Sequence, residues 1–140
     1  MTLPVELLTA VVLAPVAVTV LVIVRRRRPA LEVRRLDAAT ARRYLETFAE
    51  VEREFEARPE AAVAQARGTV EEVLRRMGFP DRIDAAQRAR DLAAHDRQAA
   101  AALDSADRAR REGADRESRH RALAGYREVI DRPLEDATGG

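Results

Sequence analysis

A glutamate and a histidine near the C-terminus have the spacing of a metal-binding pair. Glu117 and His120 lie three residues apart, so a helix would present both side chains on one face. Such a Glu-x-x-His pair supplies ligands in di-iron helical bundles, which also need a second pair. The other histidine, His95, has Leu92 at the matching position and Asp91 one residue further back. We therefore interpret Glu117 and His120 as an exposed pair, and we predict no metal site and no cofactor.

Other groups that could do covalent chemistry lack the surroundings they need. The chain contains no Cys and no Lys, which excludes thiolate and Schiff-base mechanisms. Neither Ser105 nor Ser118 has the flanking glycines of a nucleophile elbow. The six glycines form no phosphate-binding loop. We predict no catalytic residue, with an enzyme based on carboxylates or histidine as the alternative.

Arginines are frequent in the C-terminal region, which raises the question of nucleic-acid binding. Acidic residues interleave with them, and mixed charges along a helix usually form solvated pairs. Residues 29–140 hold 21 arginines against 23 acidic residues, a net charge of −2, so the chain lacks the basic face that nucleic acid requires. We predict no nucleic-acid partner. The arginines concerned are Arg108, Arg110, Arg111, Arg116, Arg119 and Arg121.

The overall composition favours helices. Charged residues make up 35% of the chain and aromatic residues only 4%, so any core must consist largely of Ala, Leu and Val. Ala, Leu, Glu and Arg are strong helix formers. We predict an all-α fold with a thin, alanine-rich core. Since a thin core leaves helix faces to cover, a homo-oligomer is a further expectation.

The N-terminal part of the chain has the features of a transmembrane helix. Residues 3–24 are apolar apart from Glu6 and two threonines. As a helix they would be about 33 Å long, enough to cross the hydrocarbon core of a bilayer. Pro15 would break most soluble helices, but a kinked helix is tolerated in lipid. We therefore predict a membrane anchor in residues 1–24.

The distribution of arginines predicts the orientation of this anchor. Because basic flanks stay in the cytoplasm, the N-terminus would lie outside and the C-terminal domain inside the cell. The same arginines would contact anionic lipid headgroups. The alternative is an exported protein with a cleaved signal peptide, although such a peptide carries its basic residues ahead of the apolar run. No arginine precedes the apolar run, and those that follow it are Arg25, Arg26, Arg27, Arg28, Arg34 and Arg35.

Capping and turn residues predict five helices beyond the basic segment. Asp37 is a good N-cap for the first, while Pro59 can begin the second and Gly78 can end it. The other three are predicted over residues 82–94, 97–112 and 116–132. Apolar residues recur at helical spacing in each helix. They are Tyr44, Leu45, Phe48, Val51 and Phe55; Val63, Ala66, Val70, Val73, Leu74 and Met77; Ile83, Ala86, Ala89, Leu92 and Ala93; Ala99, Leu103 and Ala106; and Leu123, Tyr126, Val129 and Ile130.

These elements predict one N-terminal transmembrane helix followed by an antiparallel bundle of four to five helices, because the loops between the amphipathic helices are short. Phe79 would close one end of the core. The predicted organisation is an anchor over residues 1–24, a basic juxtamembrane linker over 25–36, a helical domain over 37–134 and a disordered tail over 135–140.

Residues 46–132 resemble an uncharacterised actinobacterial family of small helical proteins. The resemblance rests on five elements of this sequence: residues 55–59 (FEARP), residues 76–80 (RMGFP), residues 88–92 (RARDL), the Ala/Arg-rich stretch that ends at Gly113, and Tyr126-Arg127. Members of that family are often preceded by an N-terminal membrane segment. The resemblance thus implies a membrane-anchored helical protein and no activity.

The functional prediction follows from the anchor. A helical domain restricted to the membrane surface meets membrane-bound partners at a raised effective concentration. We therefore predict a non-catalytic interaction or scaffolding module that binds another protein. The rings of Tyr44, Phe48 and Phe55 are expected in the core, with an exposed contact surface as the alternative.

Overall fold

Five α-helices account for most of the residues that the structure describes. In this computed structural model those residues are 32–81 and 84–139, and no strand occurs among them. The predicted all-α bundle is therefore confirmed. The predicted anchor and Arg25 to Arg28 lie outside the described residues, and none of the five helices is both long and apolar enough to cross a membrane. The helices are α1 (Ala38–Glu54), α2 (Pro59–Arg76), α3 (Ala85–His95), α4 (Arg97–Glu112) and α5 (Arg116–Thr138).

Helix starts follow local capping chemistry. The Asp37 carboxylate accepts a hydrogen bond from the backbone N–H of Thr40 at 3.1 Å, as expected of an N-cap residue. Asp96 does the same for the first turn of α4. Pro59 occupies the first position of α2, where its missing N–H costs nothing. The predicted starts of α1, α2 and α4 are therefore confirmed.

The longest helix, α5, is the centre of the bundle. It packs against α1, α2 and α4; in addition α1 packs against α2, and α3 packs against α4. The bundle has a proximal end and a distal end. At the proximal end α1 begins, and α2, α3 and α5 end; at the distal end α1 and α4 end, and α2 and α5 begin. An ion pair of 3.0 Å between Arg132 and Asp96 joins α5 to the α3–α4 junction at the proximal end.

The core contains the aromatic side chains of the described residues. Tyr44, Phe48, Phe55, Phe79 and Tyr126 are all buried, so the expectation that the first three rings are core is confirmed. Alanines fill much of the remaining interior, on α4 above all. Small side chains permit close helix approach but bury little apolar area per residue.

The predicted inner face of the third helix is partly wrong. Ala86 is exposed, whereas Leu92 is buried and Ala89 and Ala93 are half-buried. Six residues correspond to a rotation of about 240° around a helix, so Ala86 and Leu92 cannot share a face. The larger side chain decides which face turns inward. Arg82 and Ile83, the first residues of the predicted helix, lie outside the described residues.

The predicted end of the fifth helix before Pro133 is also wrong. Pro133 lies inside α5, which continues to Thr138 and includes residues predicted to form a disordered tail. Proline inside a helix removes one backbone hydrogen bond. Here Leu134 and Ala137 are buried in the core, and their burial offsets that loss.

The segment ahead of α1 is held against the proximal end. The backbone N–H of Arg34 donates to the carbonyl of Met77 at 2.7 Å. The Arg35 guanidinium donates to the carbonyl of Asp136 in the last turn of α5. Gly78 has a φ of +99°, and a Cβ there would stand 2.8 Å from the Glu32 carbonyl oxygen. The glycine predicted to end α2 is therefore needed both for the turn and for this close approach.

Candidate functional site

A cleft of about 550 Å³ opens between α2 and α4 in the distal half of the bundle. Both helices pack against α5, but they pack little against each other, so a gap remains between them. We call this gap the α2–α4 cleft. Its α2 wall is formed by Glu60, Val63, Ala64, Arg67, Gly68 and Glu71, and its other side by Arg110, Arg111, Glu112, Gly113, Ala114 and Arg119.

Charged side chains dominate the lining of the cleft. Some of them neutralise one another: Arg67 lies 3.4 Å from Glu71, and Arg119 of α5 lies 3.5 Å from Glu60. The other charges of the lining belong to Arg110, Arg111 and Glu112. These three side chains form no hydrogen bond or ion pair with any other described residue. Once the paired charges are set aside, the cleft keeps an excess of one positive charge.

A buried polar cluster connects the two walls. The Tyr126 hydroxyl donates to Asp107 Oδ1 at 2.5 Å, and the Nε of Arg67 lies 3.6 Å from the same oxygen. Asp107 is only 7% exposed, so both contacts compensate a carboxylate that has lost most of its water. The Nε of Arg67 is itself buried and has no hydrogen-bond partner among the described atoms. The cluster therefore restricts the position of Arg67 at the edge of the cleft.

The same cluster perturbs the tyrosine. Burial, and then the hydrogen bond to Asp107, hold the pKa of Tyr126 above its usual value, because both disfavour the phenolate. A tyrosine with a raised pKa stays protonated at neutral pH. Tyr126 therefore acts here as a hydrogen-bond donor that fixes Asp107.

Part of the α2 wall has almost no side chains. Ala64 and Gly68 are exposed and lie one helical turn apart. A Cβ built on Gly68 would meet no atom within 4 Å, so neither packing nor an unusual φ requires glycine there. Glycine inside a helix costs about 0.5–1 kcal/mol relative to alanine. The α2 wall therefore lacks a side chain at position 68, although alanine there would make the fold more stable.

Helix α3 occupies the proximal continuation of the cleft. Arg88 of α3 forms an ion pair of 3.3 Å with Glu71 of α2, while α3 packs on α4 along its other side. A crevice of about 240 Å³ between α3 and α4 is lined by Arg111, which also lines the cleft. Glu71 in turn borders both the cleft and a crevice between α2 and α3. The α2–α4 gap is therefore one continuous groove, filled by α3 in its proximal part and open in its distal part.

The predicted membrane-surface residues lie away from this cleft where they are described. Arg34 and Arg35 are exposed at the proximal end, and Arg35 is engaged with the end of α5. The contact of these arginines with lipid stays a prediction.

The two histidines lie at opposite ends of the bundle. The His120 ring packs edge-on against the Phe55 ring, with 5.5 Å between the ring centroids, beside the end of α1. The His95 ring packs against the Phe79 ring, with 5.8 Å between the ring centroids, beside the end of α2. Glu117 is exposed, as the sequence analysis expects of this pair. Among the residues that the structure describes, no group of three or more His, Asp or Glu side chains is placed to hold a metal ion.

The arginines of residues 108–121 do not act as one surface. Arg108 pairs within its helix with Asp104 at 2.7 Å, as predicted. Arg116 and Arg119 instead pair with Glu56 and Glu60, which precede them by a long stretch of chain. Arg110 and Arg111 line the cleft. Sequence reasoning did not identify the cleft, although Gly68 in the middle of a helical stretch was a signal of it.

No protein-family model matches the chain, and no curated protein or solved structure matches it either. The resemblance to an actinobacterial helical family therefore stays a prediction from the residue pattern. Any function has to be inferred from the residues of this chain.

Proposed function

We propose that this chain is a single-pass membrane protein whose helical bundle lies at the cytoplasmic face and binds another protein without catalysing a reaction. Two features of the sequence support the anchor: the apolar residues 3–24 and the arginines that follow them without any ahead. Arg34 and Arg35 are exposed at the proximal end of the bundle, close behind the anchor in the chain. Each arginine at an anionic surface contributes about 1 kcal/mol.

The α2–α4 cleft is the observation that carries the interaction half of the proposal. Its volume of about 550 Å³ is that of a pocket for a small molecule, which is also enough room for several side chains of a partner protein. Arg110 and Arg111 line the cleft without an ion pair, and Gly68 leaves part of its α2 wall without a side chain. A bundle selected only for stability gains nothing from such a gap, since alanine at position 68 and closer packing of α2 on α4 would both stabilise it.

Membrane topology is tested with single cysteines, which is straightforward because the chain has none of its own. Thr2→Cys and Glu135→Cys are labelled in intact cells with a membrane-impermeant maleimide. We expect labelling of Thr2→Cys in intact cells and of Glu135→Cys only after lysis. Labelling of Glu135→Cys in intact cells would contradict the cytoplasmic location and favour the exported alternative.

Protein binding is tested by photo-crosslinking in intact membranes. A photoreactive amino acid is placed at Gly68 in the cleft and, as a matched control, at Glu50 on the exposed face of α1. We expect a discrete crosslinked product, larger than the chain, from position 68 and not from position 50. Absence of a discrete product at position 68, or the same products at both positions, would exclude the cleft as the binding surface.

A further inference from the structure

We infer that the α2–α4 cleft receives a short acidic helix of the partner protein, laid end to end with α3 in one groove. This inference rests on the proposed protein-binding function and names the chemistry of the partner. Four observations support it: the position of α3, the length of the open groove, the bare α2 wall and the unpaired arginines.

Helix α3 shows that the groove between α2 and α4 can hold a helix. It is an eleven-residue helix lying in the proximal part of the α2–α4 gap. It packs on α4 with Leu92 buried and reaches α2 through the Arg88–Glu71 ion pair. Because Glu71 and Arg111 border both parts of the groove, the open part continues along the same path. A segment that follows α3 in this path has the space and the walls of a helix site.

The length of the open part fixes the length of the occupant. The α2 wall extends from Glu60 to Glu71, which is about three helical turns or about 16 Å. An occupant of about eleven residues would span it, close to the length of α3. Helix-in-groove binding of this kind is a common mode of peptide recognition.

The bare wall restricts the side chains that face α2. Ala64 and Gly68 are exposed and offer no side chain beyond a methyl group, so the backbone of an incoming helix can approach closely. The occupant would therefore present Ala, Gly or Ser toward α2.

The arginines restrict the opposite face of the occupant. Arg110 and Arg111 form no hydrogen bond or ion pair with another described residue. A guanidinium binds a carboxylate through two parallel hydrogen bonds, so acidic side chains of the occupant would pair with them. A nucleic acid is disfavoured because the cleft keeps an excess of only one positive charge, whereas a phosphate backbone requires an extended basic surface.

The experiment measures peptide binding to the full-length chain, purified in a mild detergent. The probe is a fluorescent alanine-based peptide of about fifteen residues, long enough to form helix, with glutamate at every fourth position. A second peptide has glutamine at the same positions. We expect the glutamate peptide to bind about tenfold tighter than the glutamine peptide in fluorescence anisotropy. We expect Arg110→Gln with Arg111→Gln to abolish that difference.

Two further variants separate the cleft from general charge effects. Gly68→Leu fills the open wall from a position where a Cβ meets no atom within 4 Å, so we expect the chain to fold and to lose affinity for both peptides. Arg42→Gln with Arg53→Gln removes the same charge from exposed positions of α1, outside the cleft, and should leave binding unchanged. Circular dichroism of each variant verifies that it is folded.

Each contrary result has a definite meaning. An equal loss in the α1 variant would show diffuse attraction and overturn the inference, and so would unchanged binding in Gly68→Leu. If the glutamate peptide does not bind while a partner still crosslinks at position 68, the acidic helix is wrong and the proposed function stands. If both experiments fail, the acidic helix is wrong, and so is the assignment of protein binding to the cleft.

Discussion

Gly125 on α5 lies against Ala106 on α4, so closely that a Cβ on Gly125 would stand 2.8 Å from the Ala106 Cβ and 3.2 Å from its Cα. The same Cβ would lie 3.3 Å from the carbonyl oxygen of Ala102. The close approach of these two helices at this point therefore depends on an absent side chain. Gly68 on α2 is the opposite case, since a Cβ there meets nothing within 4 Å. The two glycines allow one substitution to be tested in two environments.

Gly125→Ala should destabilise the bundle. Alanine gains about 1 kcal/mol in helix propensity, but its methyl group would press on the rigid backbone and Cβ of Ala106. Overpacking of this kind costs about 1–3 kcal/mol and should outweigh the gain. Urea unfolding of the full chain in detergent, followed by circular dichroism, measures the free energy. An unchanged or higher stability would mean that α4 and α5 can move apart at no cost.

Gly68→Ala should stabilise the bundle by about 0.5–1 kcal/mol. The added methyl group gains helix propensity in α2, and it enters open space. The measurement is the same urea unfolding, and Gly125→Ala is the control for the substitution itself. A loss of stability would show that position 68 is constrained by a contact beyond the described residues.

Tyr126→Phe should cost about 1–3 kcal/mol, because it leaves the buried Asp107 without its hydroxyl donor. Tyr44→Phe is the matched control. The Tyr44 hydroxyl donates to Glu72 at 3.0 Å, but the Glu72 side chain is 49% exposed, so water can replace the lost donor. We therefore expect this second substitution to cost well under about 1 kcal/mol. Equal costs in thermal unfolding would contradict the role assigned to Asp107.

The folded chain should become less stable at alkaline pH. The pKa values of Tyr126 and Tyr44 are both raised, chiefly by burial and then by hydrogen bonds to Asp107 and Glu72. In the unfolded chain a tyrosine loses its proton near pH 10, whereas the folded chain retains it. The stabilisation is therefore complete below about pH 10 and decreases as the pH rises through the folded pKa values.

Ultraviolet absorbance of tyrosinate measures this titration directly, since Tyr44 and Tyr126 are the two tyrosines of the chain. At about pH 10, where a free tyrosine is half ionised, we expect well under half of the tyrosinate signal while the helical circular dichroism persists. Half ionisation at that pH in the folded chain would show that the two hydroxyls are freely solvated.

Helix α3 should open before the rest of the bundle. Of its side chains that the structure describes, residues 86–95, only Leu92 is buried, and crevices border it toward α2 and toward α4. Amides in segments with few buried contacts exchange through local opening. Hydrogen exchange with mass spectrometry should show faster exchange in residues 85–95 than in residues 122–130 of α5. Equal protection of both segments would indicate that they unfold together.

Features set by neighbouring residues could be predicted from the sequence. The N-cap Asp37, the start at Pro59 and the turn at Gly78 act within a few positions of themselves, so the start of α1 and the limits of α2 followed from local chemistry. The buried rings of α1 were predictable in the same way, because large side chains at helical spacing outweigh everything else on the face they share.

Features set by distant residues could not be predicted. The continuation of α5 past Pro133 depends on burial of Leu134 against other helices. The Arg116–Glu56 ion pair joins residues far apart in the chain. The cleft in turn depends on the distance between α2 and α4, which no short stretch of sequence encodes. Only Gly68, a poor helix former in the middle of a helix, pointed to it locally.

The hydrogen bond from Arg34 to the Met77 carbonyl has a mechanical consequence. A pull on the chain ahead of residue 34 loads this bond and the close approach of Glu32 to Gly78, as well as the backbone that leads into α1. Tension from that side therefore also enters the bundle through α2, the helix that forms one wall of the groove.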